Sequence, residues 1–291
     1  MKKLTVFLLT IIAAVIVVIS FTSCDKEEPA VPEVSGAGVY NPGKKISKIY
    51  RKLLGGTELI AEKWTWERGK IAAIEYYSGG YFDHRDDFKY KDGRISQIKT
   101  SQGYYTEFFY TGDQYEIIKC YDPDAVLIAD FTFQYSGKKV SVISYNNYAL
   151  DKNGISMIER GFLAQLLPEE GIQIIAEKLA DSPKATTEIC YSYEGDNVSS
   201  ISMGSYVYTY SDYDTYSNIK FNYHPFSFSM NGIFFNNLVF SKNNQGKITY
   251  EDGMITHFTY TYDGDFPLTI QAKTLYDGGD STVVTTRMEY Q

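Results

Sequence analysis

Phe88-Lys89-Tyr90-Lys91-Asp92-Gly93-Arg94-Ile95-Ser96-Gln97-Ile98 is the stretch from which the fold is read. Phe88 and Tyr90 alternate with polar residues at the strand period of two. Asp92-Gly93 supplies a turn whose positive-φ position glycine fills at no steric cost, and Arg94 to Ile98 opens the returning strand. The unit is a β-hairpin, and the chain repeats it. Trp64-Thr65-Trp66 with Gly69-Lys70-Ile71 precedes it, and Phe108-Phe109-Tyr110, Phe133-Gln134-Tyr135, Tyr191-Ser192-Tyr193, Tyr208-Thr209-Tyr210 and Tyr260-Thr261-Tyr262 follow. Copies at intervals of roughly 20 to 25 residues mark an array in which strand stacks on strand in sequence order.

A second regularity lies behind each turn. The apolar residues of the returning strand are three apart, as in Ile71 and Ile74, Ile95 and Ile98, and Val140 and Ile143. In a regular strand that spacing would put them on opposite faces, so a bulge after each turn is expected, bringing both onto one face and adding twist. One region departs from the strand period. Ile155, Ile158, Phe162, Leu163 and Leu166 follow helical spacing; Pro168 ends one helix and opens another, which carries Ile172, Ile175, Ala176 and Leu179. The expected fold is all-β: a single curved antiparallel meander of repeated hairpins, an open or partial barrel, with two short helices at about 155–180 packed on its concave face. Phe226 to Phe240, which contains Asn231-Gly232, reads as a buried loop or strand pair. A hairpin about Asp277-Gly278-Gly279-Asp280 ends the chain.

The N-terminus carries an address. Met1-Lys2-Lys3 and the apolar run Leu4 to Ile19 form a signal peptide too short to span a bilayer. Phe21-Thr22-Ser23-Cys24 is similar to a bacterial lipobox, which implies lipidation of Cys24 and removal of residues 1–23. Residues 24–39 are charged, proline-containing and without pattern, a disordered tether. Lys26-Glu27-Glu28 behind the cysteine resembles the acidic surface-export signal of Bacteroidetes lipoproteins, which implies display on the outside of the outer membrane. Residues 40–291 then form one repeat-built β domain.

Formal net charge is −8 with no basic cluster, so neither nucleic acid nor charge-driven membrane binding is expected. Cys120 and Cys190, each inside a strand-like run, read as small buried hydrophobes, with a disulfide between them in an oxidising compartment as the alternative. His84, His224 and His257 are too scattered for a metal site. Asp83-His84-Arg85-Asp86-Asp87 beside Gly79-Gly80 reads as a solvated turn. No nucleophile elbow, P-loop, dinucleotide fingerprint or zinc-protease helix is present, so the chain is read as non-enzymatic, without metal or cofactor.

The repeated pattern, aromatic-x-Tyr-x-x-Gly-(Lys/Arg)-(Ile/Val)-x-x-Ile, resembles the tyrosine-aspartate hairpin repeats of Rhs-type surface proteins. Behind a lipobox it is more similar to a family of Bacteroidetes surface lipoproteins of unknown function with a porin-like fold. That resemblance implies one highly curved sheet like part of a barrel, and brings no catalytic residues. The departures are the irregular stretch Asn146 to Ala185 and the missing base behind Gly112, Gly195 and Gly264. The expected function is a lipid-anchored outer-membrane binding or adhesion module for glycan or protein, its ring surfaces suited to stacking. Trp64 and Trp66, on one face of one strand, read as core; with Tyr76 and Tyr77 they are also the candidate ligand platform. A structural partner of an outer-membrane complex, docked by strand addition at open edges, is the second reading. A glycan-active enzyme is a third.

Overall fold

The computed structural model describes residues 44–148, 155–181, 184, 186–216 and 240–291. The strands run in chain order: β1 (Ile46–Leu53), β2 (Leu59–Glu67), β3 (Lys70–Ser78), β4 (Tyr81–Lys91), β5 (Arg94–Thr100), β6 (Tyr105–Thr111), β7 (Gln114–Tyr121), β8 (Leu127–Ser136) and β9 (Lys139–Asn147). Then come α1 (Met157–Leu163), α2 (Glu169–Asp181), β10 (Thr186–Glu194), β11 (Asn197–Met203), β12 (Tyr206–Ser211), β13 (Lys247–Thr249), β14 (Ile255–Asp263), β15 (Phe266–Leu275) and β16 (Ser281–Tyr290). Each strand pairs antiparallel with its neighbours in the chain, as a meander requires.

The sheet is not open. β16 pairs with β1 from Ile46↔Tyr290 to Leu53↔Val284, and the sixteen strands close into a barrel. The expectation of an open or partial barrel is therefore corrected, and with it the strand-addition route to a partner, because closure leaves no edge. The physical reason is that alternation within a strand fixes its two faces but not its neighbours. β1 and β16 lie at opposite ends of the chain, and the hairpin pattern does not extend into their pairing. The up-and-down order puts every repeat turn, together with Ile46 and Tyr290, on one rim. The helical connection and the remaining turns stand on the other; we call these the repeat rim and the insert rim.

The expected bulges are present. Tyr90 faces Ile95 while Lys89 faces Gln97, leaving Ser96 unpaired. Ala72, Glu116, Ser141, Ser199 and Leu268 are skipped in the same way. Ile95 and Ile98 consequently both point inward, 2% and 0% exposed. Asp92 and Gly93 take φ of 52° and 79°, the left-handed pair of a two-residue hairpin turn.

The repeat's tyrosine has a job the pattern did not reveal. Adjacent hairpins are unconnected at the repeat rim, and β5 pairs with β6 only as far as Gln97↔Glu107. Beyond that point the Tyr110 hydroxyl donates to the Ile95 carbonyl at 2.9 Å. Tyr90 does the same to Ile71 (2.9 Å), Tyr213 to Val198 (2.6 Å) and Tyr290 to Pro267 (2.6 Å), and the Trp66 indole donates to the Ile46 carbonyl (2.7 Å). Each stitch satisfies a carbonyl that splaying strands would leave bare, worth about 1 kcal/mol net. The basic residue behind the glycine adds a second link: Arg94 donates to the Gly112 carbonyl, pairs with Asp113 at 2.5 Å, and lies over the Tyr110 ring at 5.3 Å. Lys139 repeats this with Gly195 and the Tyr193 ring.

A barrel of this strand number has room for a channel. Here α1 and α2 enter from the insert rim and help fill it, with Ile158, Phe162, Leu163, Ile172 and Ile175 at most 2% exposed. Phe162 packs on Phe131 with ring centroids 4.4 Å apart. Ser156 and Glu159 form a capping box at the start of α1. The Glu159 carboxylate also accepts from the Tyr145 hydroxyl and the Asn147 amide, both at 2.7 Å, and so ties the helix to the wall. The expected helical plug is thus in place, inside a closed wall instead of on an open one.

The outer face of the wall is polar. Lys63, Glu75, Arg85 and Asp87 form a ladder across β2, β3 and β4, with separations of 3.8, 3.9 and 2.9 Å. On the β1–β16 seam Arg287 pairs with Glu58 at 2.7 Å and Glu289 at 2.9 Å. A basic side chain at mid-depth of a bilayer costs roughly 2–4 kcal/mol, so this wall is built to face water and not acyl chains. Among the described residues no helix is long and apolar enough to cross a membrane. Cys120 faces inward and is buried, as expected, whereas Cys190 lies on the outer face, half-buried; both thiols are free. Of the stretch Phe226 to Phe240 only Phe240 is described. It belongs to the core against Tyr191, ring centroids 5.4 Å apart.

Candidate functional site

The wall disperses the expected ligand platform. Trp64 is buried core and donates its indole N–H to Glu62 at 3.0 Å, and Trp66, partly buried, stacks beside it with centroids 6.0 Å apart and packs against the core. Tyr76 is fully buried, while Tyr77 lies on the outer face, its hydroxyl on Glu75 at 2.7 Å and Lys63 over its ring. Strand alternation sends neighbouring residues to opposite faces, so no surface presents these four together. Cys24, Lys26, Glu27 and Glu28 lie outside the described residues, as does the tether.

Asp83 to Asp87 is also corrected. It is not a solvated turn but the first half of β4, and His84 and Asp86 point into the barrel, 1% and 0% exposed. A run without apolar residues shows no alternation, which is why its inward members could not be read. His84 stacks on Tyr76 with centroids 4.5 Å apart and contacts Asp83 at 2.8 Å through Nδ1. Nearby, Arg51 pairs with the buried Glu62 at 3.4 Å. Burial pushes the Asp86 carboxyl well above the usual carboxylate range, and the Asp87 charge adds to this. The Tyr76 hydroxyl is near enough to favour the carboxylate, but neither Asp86 oxygen makes a hydrogen bond of regular geometry. Among the described residues no group of three His, Cys, Asp or Glu is placed to share a metal ion. This buried cluster can hold protons and fix the wall; the open site lies elsewhere.

That site is the mouth at the insert rim. Among the described residues, all the exposed large apolar side chains except Phe109 and Tyr216 lie at or beside this rim, led by Tyr81 (81%), Leu54 (71%) and Phe82 (57%). Between α2 and strands β12 to β14 the rim opens into a cavity of about 310 Å³ lined by Glu170, Ile174, Tyr206, Tyr208, Tyr250, Glu251 and Asp252. An adjoining pocket of about 170 Å³ shares Glu170 and Tyr250 and reaches Tyr276. Tyr208 and Tyr250 meet edge to face, centroids 5.9 Å apart, and form two walls of a corner. Gly171 lets α2 lie close to this corner, since a Cβ there would stand 3.0 Å from Met203 Cε and 3.4 Å from the Tyr208 hydroxyl. Burial, then the charges of Asp252 and Glu169, raise the Glu170 carboxyl above its ordinary range. Sequence reasoning missed this site because its residues come from elements far apart in the chain. Tyr208, read only as part of the hairpin copy Tyr208-Thr209-Tyr210, was the one available signal.

Fold and mouth define a class: a closed antiparallel β-barrel with helices in its lumen, an ion-paired outer wall and an aromatic, acidic mouth at the insert rim. A closed antiparallel barrel is an architecture found in outer membranes. Among the solved structures similar to the chain are two porin-like proteins. One, from Bacteroides uniformis, is 11% identical, covers 84% of this chain and 98% of its own, and has a TM-score of 0.49. The other, from Bacteroides vulgatus, is 13% identical, covers 85% and 99%, and has a TM-score of 0.46. No protein-family model and no curated protein matches the sequence.

Proposed function

We propose that the protein is a non-enzymatic lipoprotein of the outer membrane, anchored through Cys24, facing outward, and binding a glycan or protein ligand at its insert rim. The observation that carries this reading is the asymmetry of the barrel. The described chain enters at Lys44 and Ile46 on the repeat rim, which is ringed by charged turns. The exposed large apolar side chains other than Phe109 and Tyr216 gather at the opposite rim, around a cavity lined by rings and acids, whereas the pocket of about 450 Å³ at the repeat rim is edged by the charged turn residues Lys91, Asp92 and Arg94. Clustered exposed apolar surface of this kind marks an interaction site. A wall of ion pairs agrees with attachment by a lipid and not by the strands.

The test uses the mature chain on glycan arrays and in cross-linking on cells. Replacing Tyr81 and Phe82 by serine should abolish capture of the ligand while leaving the barrel folded. Capture that is unchanged in this variant refutes the insert rim as the binding face. For the address, changing Lys26, Glu27 and Glu28 to alanine should leave the protein in the membrane fraction but protect it from external protease, and changing Cys24 to alanine should release it.

A further inference from the structure

We propose that the cavity at the insert rim binds an alkylammonium group: a cation on a slim apolar stem, as in an aliphatic amine or a lysine side chain. This rests on the reading of the insert rim as the binding face and names the chemistry of one part of it. The rings of Tyr206, Tyr208 and Tyr250 supply apolar walls, and Glu170, Glu251 and Asp252 supply negative charge, with no basic side chain among the lining residues. The Tyr208 side chain is 2% exposed, and its hydroxyl is buried on the cavity without a hydrogen-bond partner. One Glu170 carboxylate oxygen is likewise buried and unpartnered. Glu169 on the same helix turn is held by Arg160, whereas Glu170 lines the cavity without a basic partner among the described ion pairs.

The lining discriminates between ligand classes. An anion would meet three carboxylates. A divalent metal would need a set of close ligands that the described residues do not form. A neutral sugar would find acceptors in excess and few donors. An ammonium answers all of it: it donates to Glu170 and the Tyr208 oxygen, it is attracted to ring faces set at 83° to one another, and its alkyl stem lies along Ile174.

The test titrates the full mature chain with n-pentylammonium, with the neutral isostere 1-pentanol, and with N-acetyl-lysine amide, followed by calorimetry and by tyrosine fluorescence. Saturable binding of the amine at least tenfold tighter than that of the alcohol is expected. Glu170→Gln should weaken it by about tenfold, and so should Tyr206→Ala, an exposed position whose change spares the core. Equal binding of alcohol and amine overturns the proposal, as does amine binding unchanged in the Glu170→Gln, Tyr206→Ala double variant. Tighter binding of N-acetyl-lysine amide than of the free amine assigns the source to a protein ligand, and the reverse assigns it to a small amine. Loss of amine binding in the cavity variants with ligand capture through Tyr81 and Phe82 intact supports the amine site. No amine binding with that capture intact overturns the amine site alone and leaves the insert rim as the binding face.

Discussion

The two rims of this barrel are built by different means. The repeat rim is local: short turns, a bulge behind most of them, and in several copies a tyrosine or tryptophan that stitches its hairpin to the one before it. The insert rim is made by contacts between residues far apart in the chain, with two helices driven into the lumen, a belt of buried polar groups and an aromatic mouth. Repetition made one rim regular, whereas the other side gathers the carboxyls that burial raises, Asp86, Glu159 and Glu170. The proposed binding chemistry is assigned to the second, where Glu170 of α2 stands against Tyr208 of β12 and Tyr250.

The largest expected effect comes from emptying the lumen at the insert side. Phe162→Ala removes a fully buried ring packed at a tilt against Phe131 and should cost about 3–5 kcal/mol, read as a lowered midpoint in chemical denaturation. Glu159→Gln comes next. An amide cannot accept at both ends, so the acceptance from the Ser156 backbone N–H or from Tyr145 and Asn147 is lost, at about 1–3 kcal/mol. A loss no greater than that of an exposed Glu→Gln change would break the claim that Glu159 ties α1 to the wall.

Asp86 has the opposite sign. Its folded pKa is raised above an unfolded value of about 3.9, so the folded state holds the proton more tightly. Stability is then full below that unfolded value and falls as pH rises through the folded one. Asp86→Asn should flatten the dependence of Tm on pH, raising Tm at pH 8 by a few degrees and leaving it nearly unchanged at pH 4. A Tm gain that is the same at both pH values would show that the carboxyl is not the titrating group.

The smallest effect sharpens the other rim. Tyr90→Phe loses one stitch, about 1 kcal/mol, while Tyr77→Phe on the outer face, whose hydroxyl meets the solvent-accessible Glu75 and Lys63 side chains, should lose less. Equal losses would mean that the hydroxyl-to-carbonyl links add nothing to the repeat rim. Hydrogen exchange at the rim amides should separate the two variants in the same order.

Much of the repeat rim was legible in advance. Glycine at positive φ, the i to i+3 isoleucines and the alternating aromatics are local constraints on backbone and face, and they predicted hairpins, bulges and the inward pair Ile95 and Ile98 where these occur. The tyrosine hydroxyls were legible only in part, since a ring's burial follows from its position in the strand but its acceptor belongs to the preceding hairpin. The two helices were legible from their own spacing. Asp83 to Asp87 was misread, because a polar run gives no hydrophobic period, and the four-ring platform failed because alternation split it between the two faces of the wall.

By itself, then, the sequence determined an all-antiparallel hairpin array with a helical plug, since those depend on residues a few positions apart. The tertiary structure alone decided that β1 meets β16, that His84 and Asp86 face inward, and that Glu170 stands against Tyr208 and Tyr250. Each of these joins groups across long stretches of chain, and the free energy that selects them comes from closing the last ladder and filling the lumen, terms that no local pattern carries.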